Sequence, residues 1–131
     1  QSGLRLGAVV ATTFTKLKLS GSTDGLGILV DDAATAGKTI HTGPSDTDQT
    51  DEVWIYAANY DSADRKLTIE YGTASAGGII ESTIATEAGL VLVIPGLIIV
   101  GNGSPLVIAA FAATTSAIQL FGYVNRIDVS P

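Results

Sequence analysis

Leucine and lysine alternate in Thr15-Lys16-Leu17-Lys18-Leu19, and the same two-residue rhythm returns along much of the chain. One apolar and one charged side per segment is the pattern of a half-buried strand. In Arg65-Lys66-Leu67-Thr68-Ile69-Glu70-Tyr71, the residues Leu67, Ile69 and Tyr71 are expected inward, with Lys66, Thr68 and Glu70 facing water. Residues 52–60 place Trp54, Tyr56, Ala58 and Tyr60 on one side and Val53, Ile55 and Ala57 on the other. Joined through residues 59–64, these two segments predict a β-hairpin. Gly, Asp, Ser, Thr and Pro cluster at residues 20–25, 31–32, 43–51, 59–64, 72–78, 87–89, 101–105 and 114–116. Short β-branched segments broken so often predict an all-β fold, an antiparallel sandwich or barrel. Helical spacing is confined to residues 31–37 and the Ala-rich 106–113.

The C-terminal half breaks the alternation. Leu90-Val91-Leu92-Val93-Ile94, Leu97-Ile98-Ile99-Val100 and residues 106–113 are apolar on both sides. Strands of that kind must be covered twice, which a small sandwich cannot do alone. Large apolar surface on a soluble protein marks an interface, so a homo-oligomer is expected, with Leu92, Ile94, Leu97, Ile99, Val107 and Phe111 at the subunit contact. Pro95-Gly96 occupies the centre of a predicted type II turn, a hairpin or a corner between sheets. Residues 118–129 are expected as one long strand, with Gly122 as a bulge that switches the inward side.

Length and composition narrow the function. The chain of 131 residues is read as one domain, 1–131, with residues 1–10 as an extended N-terminal arm. Leu4, Arg5 and Leu6 in that arm are expected to touch a partner. Seven basic residues against thirteen acidic ones give a net charge of −6, and the basic ones are scattered. Nucleic-acid binding needs a basic patch and is not expected. Residues 90–100 are too short to span a bilayer. Residues 1–7 do not read as a secretory signal. The chain opens on Gln1 and contains no Met, so Gln1 is not expected to be the translated start.

Reactive side chains are scarce: no Cys, no Met, one His and one Trp. His41 has no second His or Cys with which to build a zinc site, and any Ser-His-Asp triad would have to use it. No Gly-x-Ser-x-Gly elbow is present. The acidic run Asp46-Thr47-Asp48-Gln49-Thr50-Asp51-Glu52 lacks the central Gly and closing Glu of an EF-hand. Asp61 with Asp64, or Glu81 with Glu87, are the carboxylate pairs available for glycosidic chemistry. Trp54, Tyr56 and Tyr60 suit either sugar stacking or packing. Asn102-Gly103-Ser104 matches a glycosylation sequon but precedes Pro105 and reads as a turn. Neither Gly25-Leu26-Gly27 nor Gly77-Gly78 opens a helix as a phosphate loop does. No enzyme activity, cofactor or metal is expected.

The ending Ala112-Ala113-Thr114-Thr115-Ser116-Ala117-Ile118-Gln119-Leu120-Phe121-Gly122-Tyr123-Val124-Asn125-Arg126-Ile127 resembles the C-terminus of many small structural proteins of tailed bacteriophages. The whole chain is similar in type to phage capsid decoration, or cement, proteins: small, acidic, Cys-free and rich in Ala, Gly, Thr and Val. The likeness is most definite over residues 112–127 and compositional elsewhere. It implies a jelly-roll-like antiparallel sandwich that forms a homotrimer on the outer surface of an icosahedral capsid. There it would bind the major capsid protein and stabilise the virion, with no catalytic motif to carry over. A head fibre, tail or baseplate protein, a carbohydrate-binding module using Trp54, Tyr56 and Tyr60, and a hydrolase are the competing expectations.

Overall fold

The computed structural model describes residues 11–130. Nine strands lie among them: β1 Ala11–Lys18, β2 Ile28–Leu29, β3 Lys38–Thr42, β4 Gln49–Asn59, β5 Arg65–Tyr71, β6 Ile79–Ile84, β7 Val91–Val100, β8 Val107–Phe111 and β9 Ile118–Ser130. They form two antiparallel sheets in a sandwich-like arrangement. The first runs β1-β9-β4-β7, with β2 beside the start of β9; the second runs β3-β8-β5-β6. The pairing is nested. β5 pairs β6, β4 pairs β7, β3 pairs β8 and β1 pairs β9, as if one long hairpin had been rolled over itself.

The all-β expectation holds, and neither helix-like stretch among the described residues is helical. Residues 106–113 form β8, and residues 31–37 are a bent loop that lies across the second sheet. The core between the sheets is aliphatic: Ile55, Leu67, Ile94, Ile108, Ile118 and Leu120 are fully buried. β-branched residues carry most of this core because they pack well on a pleated surface.

Four local expectations are corrected. β4 and β5 do not pair as a hairpin; they lie in opposite sheets. Asn59 fixes the crossing, donating from Nδ2 to the carbonyls of Ala63 and Ile84 while its Oδ1 accepts from the Asp61 amide. Pro95-Gly96 is not a turn between strands. It lies inside β7, where two register shifts against β4 accommodate extra residues. Gly96 has φ +77°, the left-handed conformation of a glycine bulge, and Pro95 is tolerated because β7 is an edge strand.

Gly122 is likewise not a bulge. The β4–β9 register runs unbroken from Gln49↔Asp128 to Asn59↔Ile118, and Leu120 and Val124 are buried on the same side of it. Glycine is needed there because a Cβ would sit 2.0 Å from the Trp54 carbonyl oxygen. Finally, Thr68 and Glu70 do not face water. They lie on the side of β5 away from the core but are buried.

Gly122→Ala should therefore force β4 and β9 apart and lower the unfolding free energy by about 1–3 kcal/mol. Gly103→Ala adds a Cβ that meets nothing within 4 Å and should change it by less than about 0.5 kcal/mol. Urea denaturation of both variants checks this; equal midpoints would contradict the close approach at Gly122.

Candidate interaction surface

Residues that face each other across antiparallel strands share a side of the sheet, so the register assigns the outer face of the first sheet row by row. Phe14, Ile127, Thr50 and Val100 form one row, and Lys16, Asn125, Glu52 and Ile98 the next. Lys18, Tyr123, Trp54 and Pro95 follow, then Phe121, Tyr56 and Leu92. An outer face of this kind normally alternates to polar. Here it carries four aromatic rings at its centre, aliphatic side chains along the β7 flank, and Phe14 with two lysines along the β1 flank.

The centre is held flat. Trp54 and Tyr123 lie 6.4 Å apart between ring centroids at 16°, and Lys16 Nζ sits 4.6 Å from the Tyr123 centroid, a cation–π contact. Trp54 Nε1 donates to Glu52 Oε1, which also accepts from Asn125 Nδ2. These hydrogen bonds hold the Glu52 carboxyl below its usual value. Gly96 permits the arrangement, since a Cβ there would lie 2.8 Å from the Trp54 ring. The flanks are open to solvent: Phe14 is 71% exposed, Ile98 59% and Leu92 43%.

Among the described residues, no further strand pairs with the edge beside this face. β7 borders the sheet, and residues 88–125 contain no charged side chain and no histidine. Edge strands ordinarily carry charges that discourage pairing with another chain; here only Pro95 and the two bulges interrupt the edge.

The six predicted contact residues divide. Leu92 lies on the outer face and Leu97 at the sheet margin, 42% exposed. Ile94 and Ile99, expected at the subunit contact, are instead buried in the core of this same chain. Ile94 faces Ile55 and Ile99 faces Asp51, both inward positions of β4. Val107 and Phe111 occupy the outer side of the second sheet, away from the aromatic face, where Phe111 faces Thr68. Leu4, Arg5 and Leu6 lie outside the described residues.

The other sequence candidates are dispersed. Asp61 binds Arg65 at 2.7 Å, Glu81 binds Lys66 at 2.9 Å, and Asp64 accepts from the Thr86 amide. Glu87 sits in a turn at φ +56°. Tyr60 lies beyond the end of β4 and donates its hydroxyl to the Ser116 carbonyl, so it does not join Trp54 and Tyr56. Asn102 Oδ1 accepts from the Ser104 amide, the turn expected. Strand alternation splits the acidic run, with Asp51 inward and Glu52 outward. Among the described residues no group of three or more His, Cys, Asp or Glu is placed to hold a metal ion.

What sequence reasoning missed is the use of His41. It is buried on β3 and bridges the two sheets. The Ser20 amide donates to Nδ1 at 3.0 Å, so the ring carries its proton on Nε2 and donates it to Asp51 Oδ2 at 2.7 Å. Arg126 on β9 completes the group with a two-pronged contact, Nε to Oδ1 at 2.7 Å and Nη2 to Oδ2 at 2.9 Å. Burial alone would raise the Asp51 carboxyl. The hydrogen bonds from Arg126 and His41, with the Arg126 charge, bring it below its ordinary value instead. Burial first, and then the Asp51 charge, push the Tyr71 hydroxyl far above its usual range. The signal was in the sequence: Asp51 continues the inward series Val53, Ile55, Ala57 by one step, and Arg126 continues Leu120 and Val124. An ionisable residue at an inward position demands a partner.

No protein-family model matches this chain, and no curated protein matches it.

Asp51→Asn leaves Arg126 without its counter-charge and should cost about 3 kcal/mol at pH 7. A depressed carboxylate contributes stability above its unfolded value near ~3.9 and loses it as pH falls through the folded value. The gap between wild type and variant should therefore narrow below about pH 4. Urea unfolding at neutral and acid pH checks this, and a constant gap would contradict the clamp.

Proposed function

We propose that this protein is a structural subunit of a phage virion, forming a homotrimer on the outer surface of an icosahedral capsid and stabilising the shell. One observation carries the reading. The first sheet carries four aromatic rings and the exposed Leu92, Ile98 and Val100 on its outer side, and this surface continues to a charge-free edge strand. Such a sheet is finished by another protein surface. A head-to-tail contact between an edge and a different surface closes into a ring when the rotation fits, which a trimer satisfies.

Other features support the same reading. The nested pairing is the order expected of a jelly roll, a form common in viral capsid proteins. The segment that resembles phage structural proteins, residues 112–127, supplies most of β9 and so the centre of the aromatic face. A chain without sulfur resists oxidation outside a cell. A trimer meeting several identical shell sites gains avidity from contacts that are individually weak.

Equilibrium sedimentation at micromolar concentration should give a trimer. The double variant Leu92→Glu/Ile98→Glu, which changes only exposed positions, should give a folded monomer. The wild type should rebind expanded shells lacking it and restore their heat resistance, and the variant should do neither. A wild-type monomer indifferent to shells would end the proposal.

The flat pair of Trp54 and Tyr123, flanked by Lys16, Glu52 and Asn125, favours a second reading: a carbohydrate-binding module, with pyranose rings stacked on Trp54. Glycans would then quench or shift the fluorescence of Trp54, and Trp54→Ala would abolish the heat of binding in calorimetry. A flat signal across neutral and acidic oligosaccharides would remove this reading and leave the first intact.

A further inference from the structure

Glu70 lies on the outer side of the second sheet, yet it is only 3% exposed. The loop of residues 31–37 folds over it: Thr35 Oγ1 donates to Oε2 at 2.8 Å and the Gly37 amide to Oε1 at 2.9 Å. Among the described residues no basic side chain lies within ion-pair distance of it. An ionised carboxylate has about four acceptor positions, and two neutral donors fill only part of that capacity. Buried charges are ordinarily paired with an opposite charge, because desolvation is otherwise uncompensated. Asp51 obeys that rule through Arg126, whereas Glu70 has no such partner among the described residues.

Beside Glu70 is a cavity of about 240 Å³ between the 31–37 loop and the turn after β5. Ala36, Gly37, Gly72, Val107 and Ala109 line it, and Glu70 is its one charged lining residue. Ala109 faces both Thr39 and Glu70 across its neighbouring strands, so it forms the floor at the height of the carboxylate. Sites for cofactors and drug-sized molecules run to roughly 300–1,000 Å³. This one is smaller, suited to the end of a single side chain. Its walls are short and mostly apolar, with Thr39 and Thr73 adding hydroxyl groups, which fits a methylene stem carrying a charge at its tip.

We propose that the cavity receives the cationic end of a lysine or arginine side chain from a partner protein. The ammonium or guanidinium group pairs with Glu70, and its stem lies along Ala109 and Val107. Taking that partner to be the shell protein rests on the virion reading above; the chemistry of the cavity does not.

Amide NMR titration of the purified protein tests it, with n-butylammonium and n-butylguanidinium as probes and 1-butanol as the uncharged control, at constant ionic strength. Both cations should give saturable shifts at Ala36, Gly37, Gly72 and Ala109, and 1-butanol should bind at least about tenfold more weakly. Glu70→Gln should weaken the cations by about tenfold or more. Ala109→Leu, which fills the floor and keeps both Glu70 and the core, should abolish binding even if the first variant folds poorly. Absence of saturable shifts up to about 50 mM, equal binding of 1-butanol, or binding unchanged in both variants would overturn the proposal. A protein that binds the amines but not the shells would keep this site and remove only the virion reading.

Discussion

The first sheet carries apolar side chains on both of its sides, and the proposed assembly follows from that arrangement. On the inner side, Val53, Ile55, Ile94 and Leu120 meet the second sheet and are buried within one chain. On the outer side, Trp54, Tyr56, Phe121 and Tyr123 have no further sheet above them among the described residues. Burial is worth roughly 25 cal/mol per Å² of apolar surface. In the proposed assembly a second surface covers this face and adds stability. Gly96 and Gly122 serve that face directly, one letting the Trp54 ring lie flat over β7 and the other letting β9 approach the backbone behind it.

A sheet that is to meet a partner must also be stiff, and here the polar interior contributes. His41 belongs to the second sheet, whereas Asp51 and Arg126 belong to the first, so their hydrogen bonds tie the two layers at one end of the sandwich. Three polar groups in an aliphatic core are tolerated because each finds a partner of matching donor or acceptor character. Removing one member strands the others, which makes the group a specifier of layer alignment more than a source of net energy.

Much of this was legible in the chain. The two-residue rhythm located β1, β4 and β5, and the length of β9 was read within a residue of its observed end. The double apolarity of residues 90–100 pointed to apolar surface, and Leu92, Leu97, Ile98 and Val100 are indeed exposed. Periodicity is silent, however, on which sheet a strand joins, and that is why β4 and β5 were expected to pair. The choice depends on the Asn59 crossing and on pairing with β7, residues far away in sequence. Double apolarity also cannot separate inward from outward positions, so Ile94 and Ile99 were assigned to a contact while Ile98 was not. Two bulges set that phase. Glu70 was read as solvent-facing because a loop distant in sequence covers it, which no local pattern records.

Amide hydrogen exchange across β7 tests the central claim most directly, because the edge amides of Val91–Val100 that lack a partner within the subunit report whether another chain covers them. The account predicts slow exchange along this edge at micromolar concentration, becoming fast on dilution while the amides of β4, β9 and the core of the second sheet, already paired within the subunit, stay protected. Fast, concentration-independent exchange at the β7 edge would contradict it.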